Sequence, residues 1–220
     1  MKTAVVQIYV DLKGYSNPEW LPKYDELSKI SFDLTKKYCK KINAEYFLIT
    51  DARVNYIHPT YERFTLFEDS SWTEKFDQIL YLDSDVFVYN NAPNIFEMYP
   101  DLNNFKVCQH WDEYRFKHKG VLPGTVGFNA GVFILTKHSR DIMLPFLNYK
   151  KNPPYKFHDN EALTECVKHS NVSVQTMDVM FNAKNWPDAY FCHAWGGGKR
   201  RNPDMDCIMK AKLEVANVDR

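Results

Sequence analysis

The stretch ILYLDSDVFVYN, residues 79–90, places two aspartates between two strongly apolar runs. The first run is typical of a buried β-strand, and Asp83 and Asp85 follow at its carboxyl end. Residues i and i+2 of an extended chain point to the same side, so we expect the two carboxylates to converge. Converging carboxylates repel each other unless a cation lies between them, and such oxygen ligands suit Mg²⁺ or Mn²⁺. The alternative is a turn with two solvated aspartates.

The composition describes a globular chain with balanced charge. Of the 220 residues 45% are hydrophobic, enough for a packed core, and 28 Lys+Arg balance 28 Asp+Glu. A neutral chain gives no electrostatic argument for binding nucleic acid or an anionic membrane. The five cysteines are scattered, with no CxxC pair, which is typical of a reducing compartment. No signal peptide or integral membrane segment is recognised, so we expect a cytoplasmic location.

Apolar periodicity predicts strands that alternate with helices. A β-branched run over residues 3–10 predicts the first strand, and an amphipathic helix is predicted from Asn17 and Pro18 to about residue 42. The other predicted strands cover residues 45–50, 78–82, 105–110 and 131–136, and the other predicted helices cover 60–76, 94–99, 140–149 and 159–170. This order indicates an α/β fold with a central, mainly parallel sheet flanked by helices. Ligands of such sheets bind beyond the carboxyl ends of the strands.

A glycine-rich segment, CHAWGGGK at 192–199, is a second candidate for chemistry. The backbone N–H groups of Gly196 and its two following glycines can approach an anion closely, and Lys199 adds a charge suited to a diphosphate. His193 could supply an imidazole to the same cation as the aspartates. Alone, the segment is better explained as a flexible loop with a structural histidine. Together with the two aspartates it favours a metal–diphosphate site.

Two further segments place polar side chains where regular elements begin. Asn129, in GFNAGVFILT (127–136), precedes a buried strand, and its amide can bind hydroxyl groups, although an ordinary turn explains it equally. Asp159 and Asn160, in FHDNEALTECV (157–167), lie at a predicted helix start and could face a sugar. The alternative is that His158 or Asp159 only caps the helix.

Four motifs, in this order, give the chain a resemblance to a known family. They are Asp83-Ser84-Asp85, Asn129-Ala130-Gly131, Asp159-Asn160-Glu161 and His193-x-x-Gly196-x-x-Lys199. They resemble the D-x-D, N-S/A-G, D-Q-D/E and H-x-x-G-x-x-K motifs of nucleotide-sugar-dependent glycosyltransferases with the Rossmann-like GT-A fold. The retaining family that includes glycogenin and bacterial galactosyltransferases, family 8, is the most similar. The small size also resembles glycosyltransferase domains of large algal viruses such as the chlorella viruses, which would place the chain in a host cytoplasm.

The resemblance implies that the chain moves a hexose from a UDP-sugar to a glycan or other hydroxyl acceptor, with retention. UDP-glucose is the default donor, with galactose and rhamnose as alternatives. It also implies Mn²⁺ (or Mg²⁺) bound by Asp83, Asp85 and His193. We expect one domain over residues 1–220, with a nucleotide-binding half over about 1–90 and a half for the acceptor and donor sugar over about 91–205. The polar tail after about residue 203 could be a domain edge of a longer protein.

The resemblance also implies a set of residues around the donor. The uridine site would comprise Tyr9, Val10, Asp11 and Tyr15, and the basic residue that touches the donor would be Arg63, with Lys75 as the fallback. The remaining donor contacts would be Ser84, Asn129, Ala130, Asp159, Gly196 and Lys199. Asp159, Asn160 and Asp85 would take part in catalysis.

The sequence departs from the family pattern at two places, and these leave alternatives open. Asn160 stands where the family usually has the glutamine nearest the anomeric carbon, and Arg200-Arg201 replace a proline–tryptophan pair. An inverting enzyme would need a carboxylate base, for which Asp159 or Asp112 could serve. The segment QHWDEYRF (109–116) is a candidate acceptor surface. The competing classes are a D-x-D phosphatase and a glycan- or nucleotide-sugar-binding module without turnover.

Overall fold

The computed structural model describes residues 1–10, 21–51, 59–109, 127–143, 159–184, 186, 188–194 and 205–216. Its strands are β1 (Thr3–Ile8), β2 (Glu45–Ile49), β3 (Gln78–Asp83), β4 (Val86–Val88), β5 (Phe105–Gln109), β6 (Phe128–Thr136), β7 (Val174–Met177), β8 (Ala183–Lys184) and β9 (Phe191–His193). Its α-helices are α1 (Leu21–Ile42), α2 (Thr65–Glu68), α3 (Ser71–Lys75), α4 (Ile95–Met98), α5 (Asp159–His169) and α6 (Met205–Ala216). Three 3₁₀ helices cover Pro59–Phe64, Lys137–Met143 and Val179–Phe181.

The central sheet has six strands in the order β2-β1-β3-β6-β5-β7. The pairs β1–β2, β1–β3 and β5–β7 are parallel, and only β6 runs against its two neighbours. The predicted α/β fold with a mainly parallel sheet is therefore confirmed. Apolar side chains cover both faces of the sheet, which is why its strands read as continuous apolar runs.

Helix α1 crosses one face of the sheet and has the predicted amphipathic character. Leu27, Leu34 and Tyr38 lie on its buried side. The helix ends at Ile42 because Asn43 adopts a left-handed conformation (φ 55°) and the N–H of the next residue bonds back to the Cys39 carbonyl at 3.0 Å. The chain then enters β2 directly. The predicted helix start at Asn17 and Pro18 lies outside the described residues.

A second, three-stranded sheet, in the order β4-β9-β8, lies beside the carboxyl end of β3. It is held between α1 and α6 by a buried cluster that includes Phe87, Tyr89, Cys192 and Cys207. The sequence analysis missed this sheet because strands of two or three residues are too short to show a period. All five cysteines are free thiols in buried positions.

Several predicted elements differ from the structure. Strand β6 begins at Phe128 rather than at residue 131, so Asn129 lies on the strand and does not precede it, and residues 140–143 of the helix predicted over 140–149 are 3₁₀, the rest lying outside the described residues. The single helix predicted over residues 60–76 is a 3₁₀ helix followed by α2 and α3. It breaks because Asp69 accepts hydrogen bonds from both the N–H and the hydroxyl of Ser71, a local alternative to the helical pattern. Within the tail after about residue 203, predicted to be a polar domain edge, residues Met205–Ala216 form α6, whose Cys207, Ile208 and Ala211 are buried. None of the described helices combines the length and apolarity needed to cross a membrane.

Candidate active site

Three strands bring the candidate site residues to one edge of the central sheet. Strands β1 and β3 are parallel and end together, with Ile8 paired to Asp83. Strand β6 runs the other way, so it begins at this edge, and its Val132 pairs with Leu82. Gly131 therefore lies next to Asp83. This antiparallel strand is the reason that two motifs nearly 50 residues apart in the chain meet.

Asp83, Asp85 and His193 converge at this edge. Asp83 ends β3, one residue later than predicted, and Asp85 lies in the turn before β4 and not on extended chain as expected. His193 ends β9 and pairs with Val86, which places its ring over that turn. Its Nε2 lies 3.2 Å from Asp85 Oδ1 and 3.6 Å from Asp83 Oδ2. One potential ligand atom from each residue lies within 4.8 Å of the other two.

The spacing of these atoms fits a divalent cation. An octahedral ion with ligands at about 2.1 Å holds adjacent ligands ~3.0 Å apart, close to the two imidazole–carboxylate distances. Carboxylate oxygen and imidazole nitrogen are both ligands that Mn²⁺ accepts. The absence of a side chain at Gly131 allows His193 and Asp83 to lie this close together, because a Cβ there would lie 2.5 Å from His193 Cε1 and 2.8 Å from Asp83 Oδ2. The described residues thus form a compact three-ligand site.

The electrostatics of the site favour a positive charge at its centre. Burial lowers the pKa of His193, but Asp85 and Asp83 outweigh that effect and raise it to about 8. Burial also raises the pKa of Asp83, against the opposing influence of Arg63 and His193. Two carboxylates thus face one imidazole at a site largely removed from water, and a cation bound there would relieve their repulsion.

Arg63 links Asp83 to Asp159. Its guanidinium lies 2.9 Å from Asp83 Oδ1 and 3.0 Å from Asp159 Oδ2, and only 6% of its side chain is exposed. Burial opposes its charge, but the two aspartates outweigh burial and raise the pKa of Arg63. Lys75, the fallback for this position, instead forms an exposed ion pair with Glu45, where β2 begins. The geometry therefore places Arg63, and not Lys75, at the candidate site.

The start of β6 is tied to the start of α5. The N–H of Ala130 donates to Asn160 Oδ1 at 2.7 Å, and the N–H of Phe128 donates to Thr164 Oγ1 at 2.9 Å. Asn129 Oδ1 accepts from the N–H of Gly131 at 2.8 Å. Asn129 is only partly buried, whereas Ala130 is fully buried in the core. Among the predicted sugar contacts, Asn129 thus keeps an accessible surface, and the side chain of Ala130 does not.

Aromatic residues occupy the end of β1, where uridine was predicted to bind. The ring of Tyr9 stacks on Tyr24 at a centroid distance of 5.7 Å, and Val10 is buried beside it. The Tyr24 hydroxyl hydrogen-bonds the hydroxyl of buried Ser84 at 2.5 Å. Burial and the Asp85 carboxylate raise the pKa of Tyr24. Tyr9 is thus linked to the D-x-D turn through Tyr24, which stacks on Tyr9 and hydrogen-bonds to Ser84.

Four predicted site residues, Asp11, Tyr15, Gly196 and Lys199, lie outside the described residues, as do Asp112 and most of the candidate acceptor segment.

The sequence analysis missed two side chains that contact the cluster of Asp83, Asp85 and His193. The Tyr81 hydroxyl donates to Asp83 Oδ1 at 2.7 Å, and Asn182 contacts His193. Tyr81 could have been found, because it stands two residues before Asp83 on the same face of β3. Asn182 carries no such signal, since it meets His193 only through the small sheet.

Several solved structures that superpose on this chain are glycosyltransferases. A glycosyltransferase involved in the glycosylation of the major capsid of PBCV-1 superposes with a TM-score of 0.63 at 14% identity, covering 99% of this chain and 100% of that one. The galactosyltransferase LgtC gives 0.62 at 15% identity and coverages of 99% and 96%. GlyE of Streptococcus pneumoniae TIGR4 gives 0.59 at 14% identity and coverages of 98% and 62%. At these identities the likeness concerns the fold, which is that of GT-A glycosyltransferases, and the viral resemblance stays a prediction.

The sequence itself gives the family. Residues 3–183 match the family described as Glycosyl transferase family 8, so the chain belongs to this family. A comparison with curated proteins found no match. The predicted family and enzyme class are therefore confirmed: the chain is a glycosyltransferase. The LgtC structure holds analogs of a donor and an acceptor sugar.

Proposed function

We propose that the chain is a metal-dependent hexosyltransferase that moves the sugar of a UDP-sugar, by default UDP-glucose, to a hydroxyl group of a glycan or other acceptor, with retention. The observation that carries this proposal is the convergence of Asp83, Asp85 and His193 at the sheet edge. The same edge holds Tyr9 and the ion pair between buried Arg63 and partly buried Asp159.

Each group of side chains has a part in this proposal. Asp83, Asp85 and His193 hold Mn²⁺ or Mg²⁺, which would stabilise the negative charge that develops on the diphosphate as the glycosidic bond breaks. Tyr9 and Val10, together with Asp11 and Tyr15, bind the uridine. Gly196 and Lys199 bind the diphosphate. Arg63, Ser84, Asn129 and Asp159 would line the donor site, and the fully buried Ala130 would support it through the bond from its N–H to Asn160.

The contacts of Asp159 favour retention over inversion. Its Oδ2 is held 3.0 Å from the guanidinium of Arg63, so it is committed to an ion pair rather than free to take a proton from an acceptor. In a retaining transfer the acceptor hydroxyl attacks from the leaving-group side. Its proton passes to the departing phosphate oxygen, and UDP and the glycoside are the products. No protein base is then needed, and Asn160 would face the positive charge that develops on the sugar.

The proposal is tested by measuring UDP release from UDP-glucose, UDP-galactose and UDP-rhamnose, with a simple glycoside as acceptor. We expect release in the presence of Mn²⁺, preference for one donor, and loss of release both with EDTA and in Asp85→Ala. NMR of the product should show the same anomeric configuration as the donor. Equal release with and without metal would contradict metal dependence, and an inverted product would contradict the argument from Asp159.

A further inference from the structure

The side of the His193 ring that faces away from the two carboxylates is held by Asn182. His193 Nδ1 lies 3.0 Å from Asn182 Oδ1. An amide oxygen can only accept a hydrogen bond, so this contact requires the hydrogen on Nδ1. A neutral imidazole with its hydrogen on Nδ1 has its lone pair on Nε2. That is the nitrogen 3.2 Å from Asp85 and 3.6 Å from Asp83.

The backbone around Asn182 keeps it in this position. Its N–H donates to the Val179 carbonyl at 2.9 Å, which ends the 3₁₀ helix there. Strand β8 begins at the next residue, and Ala183 pairs with Cys192, the neighbour of His193. The amide therefore lies immediately before β8, and the imidazole lies on β9, the strand that pairs with β8. Asn182 is 7% exposed, so water has little access to compete for the contact.

The same amide is costly for the fold. Its Nδ2 group is buried and has no hydrogen-bond partner among the described residues. A buried donor without a partner loses the hydrogen bond that it makes to water in the unfolded chain, so this Nδ2 group does not itself add to stability. The contact with His193 is then the reason to keep an amide at this place.

We infer that Asn182 is a positioning residue for cation binding: by accepting from His193 Nδ1, it fixes the ring orientation and tautomer that turn Nε2 toward Asp83 and Asp85. Partners of this kind are known to set the tautomer and basicity of metal-binding histidines, and losing them lowers metal affinity by about 10–100-fold. The inference rests on the proposed cation site. It adds a residue that no motif of the sequence points to.

The experiment compares Mn²⁺ affinity in four proteins, by following the EPR signal of free Mn²⁺ without nucleotide. Asn182→Leu removes the acceptor but keeps the volume, and Asn182→Asp keeps an acceptor. Asn94→Ala is the matched control, because Asn94 also accepts one hydrogen bond through its side chain, from the N–H of Phe96, in a helix cap. Thermal unfolding in EDTA is measured for each variant.

We expect Asn182→Leu to bind Mn²⁺ about 10–100-fold more weakly than the wild type. Its unfolding temperature in EDTA reports the separate effect on stability, because the variant removes the unpaired Nδ2 group but also leaves the His193 Nδ1–H without its acceptor. Asn182→Asp and Asn94→Ala should bind about as tightly as the wild type. Equal affinity in Asn182→Leu, or equal loss in Asn182→Asp, would overturn the inference. Failure of the wild type to bind Mn²⁺ would instead overturn the proposed cation site, so the two failures are distinguishable.

Discussion

Replacing Gly131 by alanine should displace a cation ligand. The added Cβ would lie 2.5 Å from His193 Cε1, 2.8 Å from Asp83 Oδ2 and 3.0 Å from Asn129 Oδ1. Non-bonded carbon atoms normally stay at about 3.5 Å or more, so the imidazole or the strand must move by ~1 Å. The backbone of Gly131 does not occupy the left-handed region, so the clash is the main cost of the substitution.

The size of the effect follows from the tolerance of metal coordination. Ligand distances in metal sites hold to within about 0.2 Å, and a shift of ~1 Å therefore takes a ligand out of the coordination sphere. Losing a supporting residue already costs about 10–100-fold in affinity, so losing a ligand should cost about 100-fold or more, which is about 2.7 kcal/mol. Overpacking should also lower the free energy of unfolding in EDTA by about 1–3 kcal/mol.

The assay is a Mn²⁺ titration followed by the EPR signal of the free ion, with unfolding in urea measured on the chelated protein. Gly127→Ala is the matched control. Gly127 has a φ of +82°, and a Cβ there would lie 2.5 Å from Thr164 Oγ1, so this variant should lose stability without a new contact in the cation site. Wild-type Mn²⁺ affinity in Gly131→Ala would refute the claim that the missing side chain sets the spacing of the ligands.

Three further predictions concern charges buried near the sheet. Arg63→Met should lower the free energy of unfolding in EDTA by about 3–5 kcal/mol, because it leaves two largely buried aspartates, 15% and 13% exposed, without their partner. Lys75→Met removes an exposed ion pair and should cost less than about 1 kcal/mol, so equal costs in urea unfolding would contradict this prediction. Tyr81→Phe should cost about 1–3 kcal/mol, since Asp83 loses a hydrogen bond of 2.7 Å, and an unchanged urea midpoint would speak against the contact. Burial lowers the pKa of Lys106 to about 8, so the unfolded chain binds that proton more tightly, and Lys106→Met should be more stable at pH 7 by roughly 1–3 kcal/mol. This difference in the free energy of unfolding between Lys106→Met and the wild type should vanish as the pH rises from 8 to 10.5. A difference that does not change over this pH range would exclude titration of Lys106 as its cause.

The central strands, and the position of Asp83 at the end of one of them, could be predicted because both follow from the local pattern of apolar and charged residues. Apolar runs mark β1 and β3, and a charged residue after such a run marks the end of the strand. The family motifs then indicated which distant segments should meet. Asp83 and His193, 110 residues apart, do meet, through the pairing of Val86 with His193.

The rest of the site depends on tertiary contacts that no repeating pattern of apolar residues in the sequence predicts. The small sheet has strands of two or three residues, so its presence, and with it the contact of Asn182 with His193, follows only from the folded structure. The orientation of β6 against its neighbours, which places Gly131 beside Asp83, is likewise a property of the sheet and not of the strand. Helix α6 was missed because, among the buried residues that the structure describes in it, Ile208 is the one large apolar side chain, and the other two, Cys207 and Ala211, are small.

The most direct test of the proposed site is a calorimetric titration of UDP into the wild-type protein with Mn²⁺, with EDTA, and into Asp85→Ala with Mn²⁺. If Asp83, Asp85 and His193 bind the cation that holds the diphosphate, UDP should bind only to the wild type with Mn²⁺. UDP binding of equal strength under all three conditions would show that the cluster is not the nucleotide's cation site. Absence of UDP binding under every condition would contradict the proposed UDP-sugar donor.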